Sequence, residues 1–216
     1  MIEKTDKLIF IDTETTGLSP ATHEIIELGI VLVDPITLNE FDQVSYKVLP
    51  QRIAVADERA LAMNHYSFMS WQGAKPFQDE AGPYISSLST SKSIICGHHI
   101  KFDIAFLKSM FSRYAPDLPF VYGGTLDTQT LAKKLAVAIP SYRLSILCQK
   151  FGVSIDTEKQ HSALYDILAN VGLFKSMFRN YNFSLSEAIV MGPYRKNTKK
   201  TAATKAVSGK GRKRGI

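Results

Sequence analysis

Residues 8–20 read LIFIDTETTGLSP, an apolar run rich in β-forming side chains that gives way to acids, threonines and a glycine. The run predicts a strand over residues 7–12, and residues two apart in a strand project from the same face. Asp12 and Glu14 should therefore point together from its end. Two adjacent anions leaving a buried strand are unfavourable unless a positive charge sits between them, so the pair is a candidate cation site. The alternative is a strand that simply ends in solvent.

The pattern of the remaining chain predicts a single α/β domain. Apolar or alternating runs predict strands over residues 25–33, 41–49 and 93–97. Helical spacing predicts helices over residues 54–63, 76–88, 103–114, 125–134, 144–151 and 162–179. The three early strands, joined by short turns, indicate an antiparallel start to the sheet. We expect a mixed central sheet of about five strands with helices on its faces.

Length and composition favour a soluble cytoplasmic protein. The chain has 216 residues, 45% of them hydrophobic, which is enough for one well-buried domain. Its charged N-terminal residues lack the apolar core of a signal peptide, and no stretch approaches the roughly 20 apolar residues that span a bilayer. We therefore expect no membrane partner. Cys96 and Cys148 lie in apolar contexts and are expected to be reduced, buried thiols.

Positive charge is concentrated at the C-terminal end. The net charge is +6, yet nine basic residues and no acid follow from Arg195 onward, so the rest of the chain is slightly acidic. We expect an ordered domain over residues 1–192 and a basic tail over residues 193–216. The composition of the tail predicts disorder, with non-specific phosphate binding and docking onto a partner as alternatives. The acidic body must bind an anionic substrate in another way, and cations held by carboxylates are the obvious route.

Two further acids stand near predicted helix starts. Asp103 ends the stretch GHHIKFD, where a helix begins, so its alternative role is a helix cap or a first-turn acid favoured by the helix dipole. Asp166 lies in the first turns of the longest predicted helix. His161 precedes it by five residues, a spacing that puts the two on different faces of a continuous helix. We therefore place His161 on the preceding loop, although a lone histidine is more often structural.

The three motifs in order, D-x-E, then F-D, then H-x4-D, resemble those of the DEDDh 3′→5′ exonucleases, a family that includes the proofreading subunit of bacterial DNA polymerase III and stand-alone enzymes. The resemblance covers roughly residues 7–178 and includes IIELG at 25–29, TLDTQTLAKKL at 125–135 and HSALYDILANVGLF at 161–174. It implies a ribonuclease-H-like fold and two divalent cations, Mg²⁺ or Mn²⁺, since hard cations prefer oxygen ligands. One departure is His99, where many members have asparagine.

The resemblance also assigns roles to five residues. Asp12, Glu14 and Asp166 would hold the cation on the side of the attacking water. Asp12 would bridge to a second cation, which Asp103 supports. His161 would be the general base, and the usual histidine pKa near 6.5 suits that task.

Substrate contacts are implied for a second group of residues. They are Thr13, Thr15, Thr16, Gly17, Leu18, His65 and Phe102. Leu18 would wedge against the last base and Phe102 would stack on one, whereas ordinary core packing is the alternative for both. Asp127 is an additional acid at a helix start, and we expect it to cap that helix.

The implied partner is the 3′ end of a nucleic acid, with single-stranded DNA favoured and RNA left open, because nothing local reports recognition of a 2′-hydroxyl. Some relatives act as homodimers, which leaves a homodimer open here. A second class of function is a binding module that docks onto a polymerase or another replication or repair machine, with nuclease activity secondary. The presence of all four acids and the histidine argues against an inactive site.

Overall fold

The computed structural model describes residues 6–156 and 162–192, which form a mixed sheet covered by helices. Its six strands lie in the order β3-β2-β1-β4-β5-β6. The strands are β1 Leu8–Thr15, β2 Ile25–Val33, β3 Glu40–Lys47, β4 Ile94–Gly97, β5 Gly124–Asp127 and β6 Val190–Met191. His161 and the predicted tail over residues 193–216 lie outside the described residues.

Strand β1 lies inside the sheet, between β2 and β4. It pairs antiparallel with β2 and parallel with β4, and β2 pairs antiparallel with β3. Beyond β4 the sheet continues with β5 in parallel and β6 antiparallel. The predicted α/β class and the antiparallel start of the sheet are therefore confirmed, with one strand more than expected.

Seven α-helices and two short 3₁₀ helices accompany the sheet in the described residues. The α-helices are α1 Glu58–Met63, α2 Ala81–Leu88, α3 Lys101–Tyr114, α4 Thr128–Lys134, α5 Leu144–Lys150, α6 Ala163–Asn180 and α7 Leu185–Ala188. The 3₁₀ helices are Ile53–Val55 and Phe77–Asp79.

Alternation along β1 divides the core into two layers. Leu8 and Phe10 face the layer that contains α6, where the rings of Phe10 and Phe174 pack with centroids 5.7 Å apart. Ile9 and Ile11 face the other layer, which contains residues of α2 and α3. A strand buried on both faces is apolar throughout, which explains its sequence. The arrangement also brings α3 and α6 to the end of β1 from opposite faces.

Several predicted boundaries were wrong. The helix predicted over residues 125–134 begins only at Thr128, because residues 124–127 form β5 and the Asp127 side chain accepts from Thr130 N as the helix cap. The capping role of Asp127 is therefore confirmed. The helices predicted over residues 54–63 and 76–88 are each a 3₁₀ turn followed by a shorter α-helix. In the first of them Asp57 restarts the helix by accepting from two backbone amides.

Both cysteines match their predicted state. Cys96 and Cys148 are free and buried, and burial raises the pKa of the Cys148 thiol to about 12. Such thiols remain protonated and unreactive. Within residues 6–156 and 162–192, none of the helices combines the length and the apolar character needed to cross a bilayer.

Candidate active site

The end of β1 presents two carboxylates beside a third from α6. The pairing of β1 with β2 runs to Glu14 and then shifts register between Glu14 and Thr15. Such irregularities redirect side chains and are common beside functional sites. Asp166 lies in the first turn of α6, and one oxygen from each of Asp12, Glu14 and Asp166 lies within 4.8 Å of the others. These oxygens are close enough to share a cation.

Asp103 reaches the same strand end from the opposite layer. It lies in the first turn of α3 and is only 4% exposed. Thr13 Oγ1 donates to Asp103 Oδ1 at 2.7 Å, so the hydroxyl that was expected at the substrate holds this carboxylate. The residue that precedes α3 as its cap is Ile100, so helix capping is not the role of Asp103.

Burial and mutual repulsion give these acids a high proton affinity. Burial raises the pKa of Asp12 well above its usual 3.8, and the charges of Asp103, Glu14, Asp166 and Glu27 raise it further. Burial, followed by the charges of Asp166, Glu27 and Asp103, raises the pKa of Glu14 to about 8. The pKa of Asp103 rises to about 7, again through burial, although a hydrogen bond opposes the rise. An opposite charge would favour the ionised forms, so this donor set suits a hard cation.

The charges of the other carboxylates all act on Asp12. Among them, that of Asp103 raises the pKa of Asp12 most, whereas that of Asp166 raises the pKa of Glu14 most. Asp12 shares one cluster of oxygens with Glu14 and Asp166, and Asp103 is hydrogen-bonded to Thr13, the residue that follows Asp12. Four carboxylates at one strand end suit the binding of divalent cations.

Glu27 is a fifth acid at this site that the sequence interpretation missed. It stands opposite Glu14 in the β1–β2 pairing and is 8% exposed. Its Oε1 accepts from Ser45 Oγ at 3.2 Å and from Ser162 Oγ at 3.3 Å. The signal was present in the sequence, because an acid within the otherwise apolar run IIELG needs polar partners when it is buried.

The loop that follows β1 closes on itself and exposes Leu18. Thr15 Oγ1 donates to Gly17 O at 2.8 Å, and Thr16 Oγ1 accepts from Glu24 N at 2.9 Å. A Cβ on Gly17 would lie 2.5 Å from the ring of His23, so glycine alone fits there. Leu18 is 83% exposed, which excludes core packing as its role.

A buried ion pair ties this loop to α3. Glu24 is 1% exposed, its carboxylate accepts from the Tyr114 hydroxyl, and its Oε1 lies 3.8 Å from Arg113 Nη1. Arg113 Nη2 donates to the carbonyl oxygens of Pro20 and Ala21, each at 3.0 Å. A planar guanidinium that donates to two carbonyls and forms an ion pair with a carboxylate fixes the loop relative to the helix that carries Asp103. Nothing in the sequence predicted this network.

The two remaining substrate candidates lie at the rim of the site. Asn64 Nδ2 donates to Thr15 O at 2.9 Å, which holds His65 near the loop. His65 is exposed and has a left-handed backbone with φ of 51°. Phe102 is half-buried and packs on Phe106 with ring centroids 4.8 Å apart.

The two histidines of the second motif differ in their surroundings. His98 is bonded through its ring nitrogens to Thr128 Oγ1 and to Tyr142 O, each at 2.9 Å, and burial lowers its pKa. His99 is exposed, has φ of 64°, and donates its backbone N–H to Asp127 Oδ1 at 3.3 Å. Asparagine, the residue that the family resemblance leads one to expect at this position, adopts the same left-handed conformation readily.

The apolar cavity of the fold lies away from the clustered acids. It has a volume of about 750 Å³ and is lined by α3, α4 and the β5–β6 edge, with Ile104, Leu131 and Val190 in its wall. None of Asp12, Glu14, Asp103 or Asp166 lines it. The chemistry of the carboxylates is therefore separate from this cavity.

Known proteins match the part of the chain that contains the four acids. The exonuclease family (RNase_T) matches residues 9–174. The chain is 29% identical over 185 residues to ribonuclease T of Hahella chejuensis, covering 80% of this chain and 84% of that protein. It is 31% identical over 176 residues to the DNA polymerase III subunit epsilon of Rickettsia conorii, covering 76% and 70%. The nuclease domain of 3′hExo, a DEDDh family member solved bound to rAMP, superposes with a TM-score of 0.66 at 20% identity, covering 82% and 94%.

Proposed function

The chain belongs to the DEDDh 3′→5′ exonucleases, and from that membership we propose that it removes nucleotides one at a time from the 3′ end of single-stranded DNA and releases nucleoside 5′-monophosphates. The observation that carries the proposal is the convergence of Asp12, Glu14 and Asp166 within 4.8 Å, with Asp103 hydrogen-bonded to the adjacent Thr13. The catalytic unit is the domain over residues 1–192. The family uses divalent cations, and we propose two, Mg²⁺ or Mn²⁺, at this site.

The four carboxylates would divide between the two cations. Asp12, Glu14 and Asp166 would hold one, and Asp12 together with Asp103 would hold the other. When bound, the pair of cations activates water and stabilises the charge that develops on the leaving 3′ oxygen. The hydrogen bond from Thr13 keeps Asp103 oriented toward Asp12, and the fold itself supplies the high density of negative charge that the cations neutralise.

His161 is proposed as the general base that accepts a proton from the attacking water. The base must lie within hydrogen-bond reach of that water and titrate near neutrality, and general bases contribute about 10²–10⁴-fold to rates. Its peptide neighbour Ser162 is bonded to Glu27 at the edge of the carboxylate cluster. This connection supports a position of His161 near the site.

The substrate end is proposed to enter along the loop after β1. The exposed side chain of Leu18 separates the terminal base from its neighbour, and the open part of the Phe102 ring stacks on a base. Thr15, Thr16 and Gly17 bring backbone groups close to the terminal nucleotide, and His65 contacts it from the rim.

DNA is the proposed substrate, and RNA trimming is the second candidate. The relative from Rickettsia conorii is a DNA polymerase subunit, and the solved exonuclease X, with a TM-score of 0.61, is bound to 5′-overhanging duplex DNA. Ribonuclease T among the relatives and rAMP in the 3′hExo structure favour RNA. The likeness to the polymerase subunit also supports a polymerase or repair partner. A homodimer is a further proposal.

The test is digestion of matched DNA and RNA oligonucleotides labelled at the 5′ end, in Mg²⁺, Mn²⁺ and EDTA. The proposal predicts a ladder that shortens by single nucleotides in either cation and no cleavage in EDTA, with DNA degraded faster than RNA. RNA degraded faster under the same conditions would assign the second function. Binding of both oligonucleotides without cleavage in any cation would support the binding-module alternative instead.

A further inference from the structure

We propose that Glu27 is a positioning residue for the start of α6 and thereby for Asp166. The inference rests on the proposed function, since it concerns the geometry of the same site. Glu27 lies in the stretch IIELG of the family resemblance but outside its three acidic motifs, and two serine hydroxyls donate to its side chain.

The contacts and the burial of Glu27 show that it is not a simple solvated acid. Glu27 is 8% exposed, and the hydroxyls of Ser45 and Ser162 both donate to the same oxygen, Oε1, at 3.2 and 3.3 Å. Ser45 lies on β3, and Ser162 directly precedes α6. The carboxylate of Glu27 therefore joins the sheet to the start of the helix.

Ser162 is also hydrogen-bonded to Asp166, a member of the carboxylate cluster. Its carbonyl oxygen accepts from Asp166 N at 3.0 Å in the first turn of the helix. The same residue is thus bonded to Glu27 through its side chain and to Asp166 through its backbone, and it is covalently linked to His161. A displacement of Ser162 would therefore shift the first turn of α6, which carries Asp166, relative to Asp12.

Gly29, two residues further along β2, is in close contact with the start of α6. A Cβ on Gly29 would lie 2.4 Å from the backbone carbonyl of Ala163 and 2.6 Å from Leu164 N. Backbone cannot yield as a flexible side chain does, so the absence of a side chain lets α6 approach the strand. Glu27 and Gly29, on one face of the strand, therefore fix the start of α6 by a hydrogen bond and by close contact.

A positioning role is distinguishable from direct coordination of a cation. Glu27→Gln keeps a carbonyl oxygen for both serine hydroxyls and removes the charge, whereas Glu27→Ala removes both. Ser162→Ala leaves Glu27 intact and removes the link. The control is Glu40→Gln, which removes a carboxylate paired with Lys175 of the same helix at 2.7 Å, well beyond its first turn.

The measurements are the turnover rate on a 5′-labelled oligonucleotide and the dissociation constant for Mn²⁺ by calorimetry, with folding checked by circular dichroism. Glu27→Ala and Ser162→Ala are expected to lose about 10–100-fold in turnover or in Mn²⁺ affinity, as residues that orient metal ligands do. Glu27→Gln should lose clearly less than Glu27→Ala because it keeps both hydrogen bonds, and the control Glu40→Gln should stay within about threefold of the unaltered protein. The double variant Glu27→Ala/Ser162→Ala should lose no more turnover or Mn²⁺ affinity than the more impaired of the two single variants.

Two results would overturn the inference. If Glu27→Gln loses as much as Glu27→Ala, the charge of Glu27 and not its hydrogen bonds is what matters. If Ser162→Ala keeps full turnover and Mn²⁺ affinity, the link from Glu27 to Asp166 has no function, and this variant decides the question even if Glu27→Ala does not fold. An unaltered protein that binds Mn²⁺ but degrades no oligonucleotide would refute the proposed function alone, because the Mn²⁺ measurements still test the inference.

Discussion

The raised pKa values of the clustered carboxylates predict that stability in EDTA falls as the pH rises from about 4.5 to 8. Burial raises the pKa of Glu14 from 4.5 to about 8 and that of Asp103 from 3.8 to about 7. Between these values the folded protein keeps protons that the unfolded chain has lost. Stability from this source is therefore fully present below the unfolded pKa and disappears as the pH passes the folded value.

The size of the effect follows from the difference between the pKa of Glu14 in the unfolded chain and its pKa in the folded protein. One extra proton on the folded state lowers the free energy of unfolding by about 1.4 kcal/mol per pH unit. The pKa of Glu14 rises from 4.5 to about 8, so the loss from this group approaches about 5 kcal/mol by pH 8. For a chain of this length the loss corresponds to a fall in Tm of roughly 10–20 °C.

The assay is thermal unfolding in EDTA at pH 5.5, 7 and 8.5, repeated with saturating Mg²⁺. Glu14→Gln removes the ionising group, so its Tm should exceed that of the unaltered protein at pH 8.5 and approach it at pH 5.5. Glu40→Gln is the matched control and should follow the unaltered protein at every pH. Mg²⁺ should raise Tm more at pH 8.5 than at pH 5.5, because the cation binds the ionised carboxylates. Parallel pH profiles for all three proteins, or equal stabilisation by Mg²⁺ at both extremes, would refute the reasoning.

Three further predictions concern single parts of the proposed enzyme. His161→Ala should keep its Mn²⁺ affinity and lose about 10²–10⁴-fold in turnover, whereas Asp12→Ala should lose both. Full activity of His161→Ala would show that His161 is not the general base. Arg113→Gln should raise KM for an oligonucleotide more than it lowers kcat, because the loop that presents Leu18 loses two carbonyl contacts; an unchanged KM would contradict this. Removal of residues 195–216 should weaken nucleic-acid binding and flatten its salt dependence. Turnover on a dinucleotide should stay nearly constant, and its collapse would show that the tail takes part in the chemistry.

Most of the correct sequence predictions came from long apolar runs and from the paired acids. The runs at residues 8–11 and 25–33 became β1 and β2 because both faces of the sheet are covered, and Asp12 and Glu14 followed from the end of the first run. Strand β5 was missed, since residues 124–127 alternate over only four positions and lead directly into a helix. Strand β6 has two exposed residues and leaves no pattern to detect.

The contacts around the site were less accessible to sequence reasoning. The hydrogen bond from Thr13 to Asp103 and the bonds from Arg113 to the loop join residues about 90 positions apart. Local periodicity does not report such pairs, because they depend on how α3 packs on β1. Glu27 is the exception, since a buried acid in an apolar strand is visible in the sequence and was passed over.

The central claim is that four carboxylates bind two cations at the end of β1, and crystals soaked with Mn²⁺ and a nucleoside 5′-monophosphate test it most directly. Anomalous scattering should give two Mn²⁺ peaks, one against Asp12, Glu14 and Asp166 and the other against Asp12 and Asp103. Mn²⁺ at other positions, or ordered Asp12 and Asp166 side chains that touch no ion at saturating Mn²⁺, would contradict the account.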